Sequence, residues 1–258
     1  MKKSILFATL CCTAMFFVAC EKSEPQNNEQ NQTEELENKN DSINTSDDKD
    51  DITISGTIDG HNYVDLGLPS GTKWATCNMG ATKPEEFGNY YAWGETEAKG
   101  TFKWSTYKYG SSYNTLTKYG TESYYGIESY CGRVDNKTTL EAADDVATQN
   151  WGGNWRMPTI DEWQELIDNC TWTWTTKNSV NGYEVKATNG NSIFLPAAGW
   201  HGGSSGELLA EGWNGDYWSS SLDTYYPGNA RHVDFSSDDH DTSCADRACG
   251  FSVRPVCK

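Results

Sequence analysis

Residues 154–166 read NWRMPTIDEWQEL, and this stretch has the clearest structural signal in the chain. Thr159 with Glu162 three residues later fits a capping box, in which each side chain hydrogen-bonds the backbone N–H of the other residue. The apolar residues that follow recur at helical spacing and would form one face: Trp163, Leu166 and Ile167. The stretch therefore predicts a helix that begins after Thr159 and packs on a core.

A second helix is predicted just before this one. Thr138 and Glu141 fit another capping box, and apolar residues follow at helical spacing as far as Trp151, where Gly152 and Gly153 would end the helix. Between residues 81 and 137 the glycines interrupt every candidate element. That stretch predicts a long loop packed through aromatic rings.

Short runs of strand-forming residues surround the two helices. A hairpin is predicted after Cys170, with Asn181 and Gly182 as its turn between strands at 171–176 and 183–188. Other short strands are predicted at 192–196, 217–221, 230–235 and 250–256. Two helices followed by short antiparallel strands indicate an α+β fold.

Charge and aromatic residues divide the 258 residues into unlike parts. The chain has 20 Lys and Arg against 37 Asp and Glu, a net charge of -17, which excludes a nucleic-acid binder that works through a basic face. Residues 21–51 hold eleven acids and three lysines, whereas all 11 Trp and all 14 Tyr follow residue 51. We therefore expect one domain over 52–258, preceded by a flexible acidic spacer.

The amino terminus has the layout of a signal peptide. Lys2 and Lys3 precede an apolar run over 5–18, which is shorter than the roughly 20 residues of a spanning helix. The sequence Phe-Val-Ala-Cys that ends at Cys20 resembles a bacterial lipobox. We therefore expect a leader over 1–19, a lipidated Cys20 that attaches the protein to the membrane, and a tether over 20–51; the alternative is an ordinary secreted protein cut after Ala19.

The first residues of the tether bear on where the protein is displayed. Residues 21–24, Glu-Lys-Ser-Glu, resemble the acidic export signal of surface lipoproteins in Bacteroidetes. The resemblance implies a lipid-anchored protein of the outer membrane that faces the cell surface.

Five blocks occur in a fixed order within the domain: VDLGLPSGTKWATCNMG (64–80), NWRMPTIDEWQEL (154–166), FLPAAG (194–199), YWSSS (217–221) and GFSVRPV (250–256). Together they resemble the Fibrobacter succinogenes major paralogous domain, a family abundant in Bacteroidetes lipoproteins. The resemblance implies a C-type-lectin-like domain over 52–258, with two helices, a small twisted antiparallel sheet and long loops.

The blocks themselves are interpreted as scaffold. Trp155, Trp163 and Trp218 are expected in the core, and Arg156 and Arg254 are expected to pair with buried carboxylates or carbonyls. Function is then expected in the loops between the blocks.

The loop over residues 199–217, GWHGGSSGELLAEGWNGDY, is the candidate binding site. It combines flat apolar faces with hydrogen-bonding groups, a mixture that suits a polar ring ligand such as a glycan. The candidate ligand-binding residues are Trp200, His201, Trp213, Asn214 and Asp216. Packed loop aromatics are the alternative interpretation. The Trp-Asn-Gly-Asp order is similar to the Trp-Asn-Asp motif of calcium-dependent lectins, but the inserted glycine and the missing Glu-Pro-Asn partner do not support calcium-mediated sugar binding.

No metal site, cofactor or catalytic residue is predicted. An acidic run surrounds His240 without the regular spacing of an EF-hand loop, and it is interpreted as an exposed hairpin tip: Asp234, Asp238, Asp239, Asp241 and Asp246. Histidines are few, and no nucleophile elbow or phosphate-binding glycine loop is present.

Six cysteines follow Cys20, an even number that permits three disulfides in an exported protein: Cys77, Cys131, Cys170, Cys244, Cys249 and Cys257. Cys244 and Cys249 are predicted to form a bridge across the final hairpin, whereas Cys170 and Cys257 equally suit buried thiols.

Three functional hypotheses follow from these observations. The first is a non-catalytic binding or adhesion module whose ligand is a glycan or a surface protein. The second is a redox or oxidase enzyme, distantly similar to formylglycine-generating enzymes, that would use Cys244 and Cys249. The third is a structural component of a surface assembly.

Overall fold

A computed structural model of the chain describes residues 54–122, 132–202 and 206–258. The predicted leader, the predicted lipidation site Cys20, the predicted tether over 20–51 and Cys131 lie outside the described residues. No helix in the described ranges is long and apolar enough to cross a membrane.

The described residues contain two α-helices and twelve short strands. The helices are α1 (Val146–Trp151) and α2 (Ile160–Asn169), with single 3-10 turns at Trp104–Thr106 and Ala142–Asp144. The strands are β1 (Gly56–Ile58), β2 (His61–Val64), β3 (Lys73–Ala75), β4 (Cys170–Lys177), β5 (Val180–Ala187), β6 (Ser192–Pro196), β7 (Trp200–His201), β8 (Leu208–Leu209), β9 (Gly215–Leu222), β10 (Asn229–Phe235), β11 (His240–Asp246) and β12 (Val256–Cys257).

The strands pair into small antiparallel sheets. Their orders are β1-β2-β3-β12, β4-β5-β6, β11-β10-β9 and β7-β8. In the first sheet β3 lies beside β12, so a strand near the start of the domain pairs with the last strand. The predicted α+β class is confirmed for the described part of the chain.

The helix α2 begins where the capping box predicted. The Thr159 hydroxyl accepts a hydrogen bond from the Glu162 N–H at 3.2 Å, and a Glu162 carboxylate oxygen accepts one from the Thr159 N–H at 2.9 Å. The same carboxylate binds both terminal nitrogens of Arg156 and accepts a hydrogen bond from Thr72. Burial raises the pKa of Glu162, but these partners outweigh it and hold the pKa at about 2.

The start of the other helix was predicted wrongly. The helix α1 begins at Val146, and its cap is Asp145, which accepts hydrogen bonds from the N–H groups of Thr148 at 3.0 Å and Met157 at 2.8 Å. Glu141 lies outside the helix, where its carboxylate pairs with Lys118 at 2.5 Å. A tertiary ion pair therefore occupies the side chain that was expected to cap the helix.

The turn of the β4–β5 hairpin was also predicted wrongly. Asn178 and Ser179 form the turn, both with positive φ (48° and 68°), and the register pairs Thr176 with Asn181. Gly182 lies inside β5, where a Cβ would come within 2.3 Å of the Leu195 carbonyl oxygen. This glycine serves the close approach of β5 and β6 rather than a turn.

Two further predictions near the carboxyl end are corrected by the structure. Of the predicted 250–256 strand only Val256 lies in a strand, the short β12, whereas Gly250, Phe251 and Ser252 make single bridges to three separate partners. The acidic run is not confined to a hairpin tip, since its residues extend along β10 and β11.

Across the ranges that the structure describes, buried apolar residues form two core clusters. Trp155 and Trp218 lie in one cluster and Trp163 in the other, all with no exposed surface, which confirms the scaffold interpretation. Each indole N–H donates to one backbone carbonyl. The Trp155 indole donates to Ile58, the Trp218 indole to Tyr91, and the Trp163 indole to Trp218.

Candidate functional site

The predicted binding loop over 199–217 turns two of its aromatic side chains inward. Trp200 is half-buried, with its ring 6.3 Å from the Phe251 ring. The His201 ring lies between Tyr90 and Phe102, at 4.8 Å and 4.9 Å. These two rings support the loop from beneath.

Trp213 has the opposite environment. Its side chain is 76% exposed, and it is the one exposed tryptophan among the eleven of the chain, all of which the structure describes. The N–H groups of Trp213 and Asn214 both donate to the Ala210 carbonyl, at 3.0 Å and 2.9 Å, so a tight turn holds the indole outward. The loop thus presents one large apolar ring to solvent.

A small cavity of about 160 Å³ lies beside Asn214, and we call it the acidic cavity. It is lined by five residues with oxygen-bearing side chains and by one histidine: Asn214, Asp234, Ser236, Asp239, His240 and Asp241. The His240 ring stacks on Trp172 at 4.7 Å, which fixes one wall. The turn between β10 and β11 closes another, through a hydrogen bond from the Ser236 N–H to the Asp239 carbonyl at 2.9 Å.

Three carboxylates are aligned across the sheet that carries this cavity. Strand pairing places Asp216 of β9 opposite Asp234 of β10, and Asp234 opposite Asp241 of β11. Cross-strand partners point to the same face of a sheet, so the three side chains form a line, which we call the acidic row. Asp216 is buried, with 7% exposure, and its Oδ2 has no hydrogen-bond partner in the described part of the chain.

His232 lies between two members of the acidic row. Its Nε2 is 3.6 Å from Asp216 Oδ1 and 3.9 Å from Asp234 Oδ1. Burial, with Arg231 nearby, lowers the pKa of His232 to about 3, so the ring is neutral at pH 7. The imidazole therefore supplies no positive charge to the two carboxylates.

The electrostatics of the acidic row follow from burial and from like charge. Burial first, then the charge of Asp234, raises the pKa of Asp216 to about 8. Burial, Asp241 and Asp239 raise the pKa of Asp234. No lysine or arginine of the described residues forms an ion pair with these side chains. With a pKa of about 8 Asp216 is mostly protonated at pH 7, so the row disfavours a further negative charge.

The structure brings together only part of the predicted site. Trp213, Asn214 and Asp216 lie in one run that adjoins the acidic row, whereas Trp200 and His201 pack away from it. His232 was not among the residues predicted for the site. Its alternation with Asp234 on one strand was the available signal, and it became meaningful only when β9 was placed opposite β10.

The structure does not contain the predicted Cys244–Cys249 disulfide. Cys244 is a free thiol on β11, and its Sγ accepts a hydrogen bond from Asn229 at 3.7 Å. The strand β11 continues through Asp246, so Cys244 and Cys249 do not face each other across a hairpin. Burial and then Asp223 raise the pKa of Cys244, which disfavours the thiolate that redox chemistry would need.

Within the described ranges no group of three or more His, Cys, Asp or Glu side chains is placed to hold a metal ion.

Comparison with known proteins adds no family assignment. No family model, curated protein or solved structure matches the chain.

Proposed function

We propose that this chain is a surface-anchored lipoprotein of the outer membrane, whose residues 52–258 form a non-catalytic binding or adhesion domain with a glycan as its ligand. The support for the anchor is the sequence around Cys20, with its apolar leader and acidic tether. The proposed architecture is C-type-lectin-like, as in the Fibrobacter succinogenes major paralogous domain. Two helices, small antiparallel sheets and the long segment between β3 and α1 support that assignment.

The exposed ring of Trp213 is the observation that carries the glycan proposal. Burying a large apolar side chain contributes about 1.5–3 kcal/mol relative to leaving it exposed, so the exposed indole could gain this free energy by stacking on a ligand. Asn214 follows it directly and lines the acidic cavity. An aromatic face beside amide and carboxylate oxygens suits a sugar ring, which has apolar C–H faces and hydroxyl donors.

The acidic row narrows the choice of glycan. Its carboxylates lack cationic partners among the described residues, so anionic sugars would be repelled. We expect neutral or amine-bearing glycans, whose hydroxyl or ammonium groups can donate to Asp234 and Asp241.

A glycan array tests this proposal with the full chain in detergent. We expect binding to neutral or amine-bearing glycans, reduced at least about tenfold by Trp213→Ala, since hot-spot aromatics contribute about 2 kcal/mol or more. Tyr226→Ala is the matched control, because Tyr226 is an exposed aromatic residue in a different loop (43%). Absence of binding to every glycan, or equal loss in both variants, would contradict the proposal.

A further inference from the structure

A second and larger cleft shares no lining residue with the acidic cavity. It has a volume of about 400 Å³ and lies between β2, the segment that follows β3, and the end of α1. That volume falls within the range of about 300–1,000 Å³ typical of small-molecule sites. Its lining residues include His61, Asn62, Cys77 and Trp151.

One wall of the cleft is a pair of stacked rings. His61 and Trp151 are parallel within 4°, with centroids 3.8 Å apart. Trp151 packs edge-on against the buried Trp155 at 5.2 Å, and the Trp155 N–H donates to the Ile58 carbonyl at 3.0 Å. The wall is therefore held by the core, although both of its rings reach the cleft.

The His61 ring nitrogens and the Asn62 amide N–H groups remain available for hydrogen bonds to a ligand. Neither ring nitrogen of His61 forms a hydrogen bond within the described residues. Asn62 uses its Oδ1 to accept from the Thr57 hydroxyl at 2.8 Å, which leaves its amide N–H groups for another partner. Burial, partly opposed by Asp59, lowers the pKa of His61, so the neutral ring offers one donor and one acceptor at pH 7.

The cleft is uncharged, in contrast to the rest of the domain. Residues 52–258 hold 26 acids and 15 bases, yet no acidic or basic side chain apart from the neutral His61 lines the cleft. No lining group would pair with a charged ligand, and Asp59, which acts on His61 from outside the lining, disfavours an anion. A neutral ligand with a ring and several hydroxyl groups matches the aromatic wall and the free amide.

We propose that this cleft is a second carbohydrate site, which takes one neutral sugar ring against the His61–Trp151 wall, with its hydroxyls on His61 and Asn62. The inference rests on the proposed function only for the class of ligand, because the site is separate from Trp213. Cys77 would adjoin the bound sugar, since its Sγ donates to the Ala81 carbonyl at 3.3 Å inside the same cleft.

NMR titration of the full chain with neutral methyl glycosides at millimolar concentration tests the site. The readout is the indole N–H signal of Trp151, assigned by its loss in Trp151→Phe. We expect one glycoside to shift this signal and to slow alkylation of Cys77, followed by mass spectrometry of its peptide. Asn62→Ala should weaken binding about tenfold, whereas Asn114→Ala, a change of another exposed asparagine outside the cleft, should not.

Trp213→Ala separates this inference from the proposed function. An unchanged titration in Trp213→Ala supports an independent site in the cleft. Loss of the titration in Trp213→Ala, no response of the Trp151 signal to any glycoside, or an unchanged affinity in Asn62→Ala would each overturn the inference. The glycan array with Trp213→Ala and the NMR titration of the Trp151 signal measure different sites, so a negative result in one does not decide the other.

Discussion

At the scale of single residues, two arginines are buried without a carboxylate partner among the described residues. Arg254 has no exposed surface and donates to Asn78 Oδ1 at 2.9 Å and to the carbonyls of Ala75 and Phe194 at 3.1 Å and 2.8 Å. Burial lowers the pKa of its guanidinium. The fork of donors is satisfied by backbone and amide oxygens, which join β3 to β6, and this confirms the carbonyl version of the prediction for Arg254.

Arg247 likewise uses its guanidinium donors to hold the part of the long loop that carries Tyr107 and Tyr119. It is fully buried, donates to the Tyr107 hydroxyl at 2.9 Å and to the Tyr119 carbonyl at 3.0 Å, and lies 4.9 Å over the Trp93 ring. Tyr109 and Tyr119 both donate to Asp144. A segment with little regular structure is thus fastened by buried polar contacts as well as by ring packing.

The acidic row leads to a prediction of pH dependence. Asp216 titrates near pH 4 when unfolded and near about 8 when folded, so the folded state holds an extra proton between these values. Unfolding free energy therefore falls as pH rises through that window. His232 changes the free energy of unfolding in the opposite direction, because its folded pKa of about 3 lies below its unfolded value of about 6.5. Its contribution makes the free energy of unfolding rise with pH, and this rise ends near pH 6.5.

The interval from about pH 6.5 to 8 therefore isolates Asp216. We expect Asp216→Asn to gain stability over the wild type across this interval, by up to about 1.4 kcal/mol per pH unit, in urea unfolding at several pH values. Asp246→Asn, an exposed change on β11, should follow the wild-type pH profile. A constant difference between Asp216→Asn and the wild type would refute the burial of a protonated Asp216.

At the scale of elements, local signals were reliable where tertiary contacts agreed with them. The capping box of α2 is real, and its Glu162 also meets Arg156 and Thr72, so three partners favour the same helix start. The box predicted for α1 failed because Glu141 pairs with Lys118 instead. The Asn-Gly pair of β5 resembles a turn in sequence, but the tightness of the β5–β6 contact is what requires its glycine.

The position of the β4–β5 turn gives a second prediction. Ser179 adopts φ of 68°, which costs an L-residue about 1–2 kcal/mol, whereas glycine adds about 0.5–1 kcal/mol of entropy in the unfolded chain. We therefore expect Ser179→Gly to stabilise the protein by about 0.5–1 kcal/mol in chemical denaturation. Gly182→Ala should destabilise it by about 1–3 kcal/mol, because its Cβ would overlap the Leu195 carbonyl. The opposite ranking of the two variants would return the turn to residues 181–182.

At the scale of the whole molecule, the last nine residues connect distant parts of the fold. Gly250 bridges to His201, Phe251 to Tyr91, and Ser252 to Tyr217. The strand β12 then completes the sheet of β1, β2 and β3, and Val256 exchanges two backbone hydrogen bonds with Arg156. These contacts join residues that are far apart in sequence, so the ends of the domain must meet before the structure is complete.

Removal of β12 gives a third prediction. Val256 and Cys257 are 0% and 1% exposed, and burying one such side chain contributes about 1.5–3 kcal/mol. We expect deletion of residues 256–258 to remove about 4 kcal/mol or more of a stability that is typically about 5–15 kcal/mol. Thermal unfolding by circular dichroism should show a much lower midpoint or no cooperative transition. Deletion of the exposed Lys258 alone should leave the midpoint unchanged. A stable protein without residues 256–258 would show that the pairing of β12 is not needed for the fold.

The sequence by itself determined the α+β class, the start of α2, the buried tryptophans and the approximate places of the strands. Each of these depends on a pattern of neighbouring residues, a cap or a periodicity, that is written along the chain. It also identified Trp213, Asn214 and Asp216 as candidates, although it grouped them with Trp200 and His201.

Only the tertiary structure decided which rings face outward and which carboxylates meet. Asp216, Asp234 and Asp241 are aligned by the register of three strands, and His61 meets Trp151 across 90 positions of sequence. Such meetings depend on packing between distant segments, whose energies are spread over many weak contacts, and no local pattern encodes them.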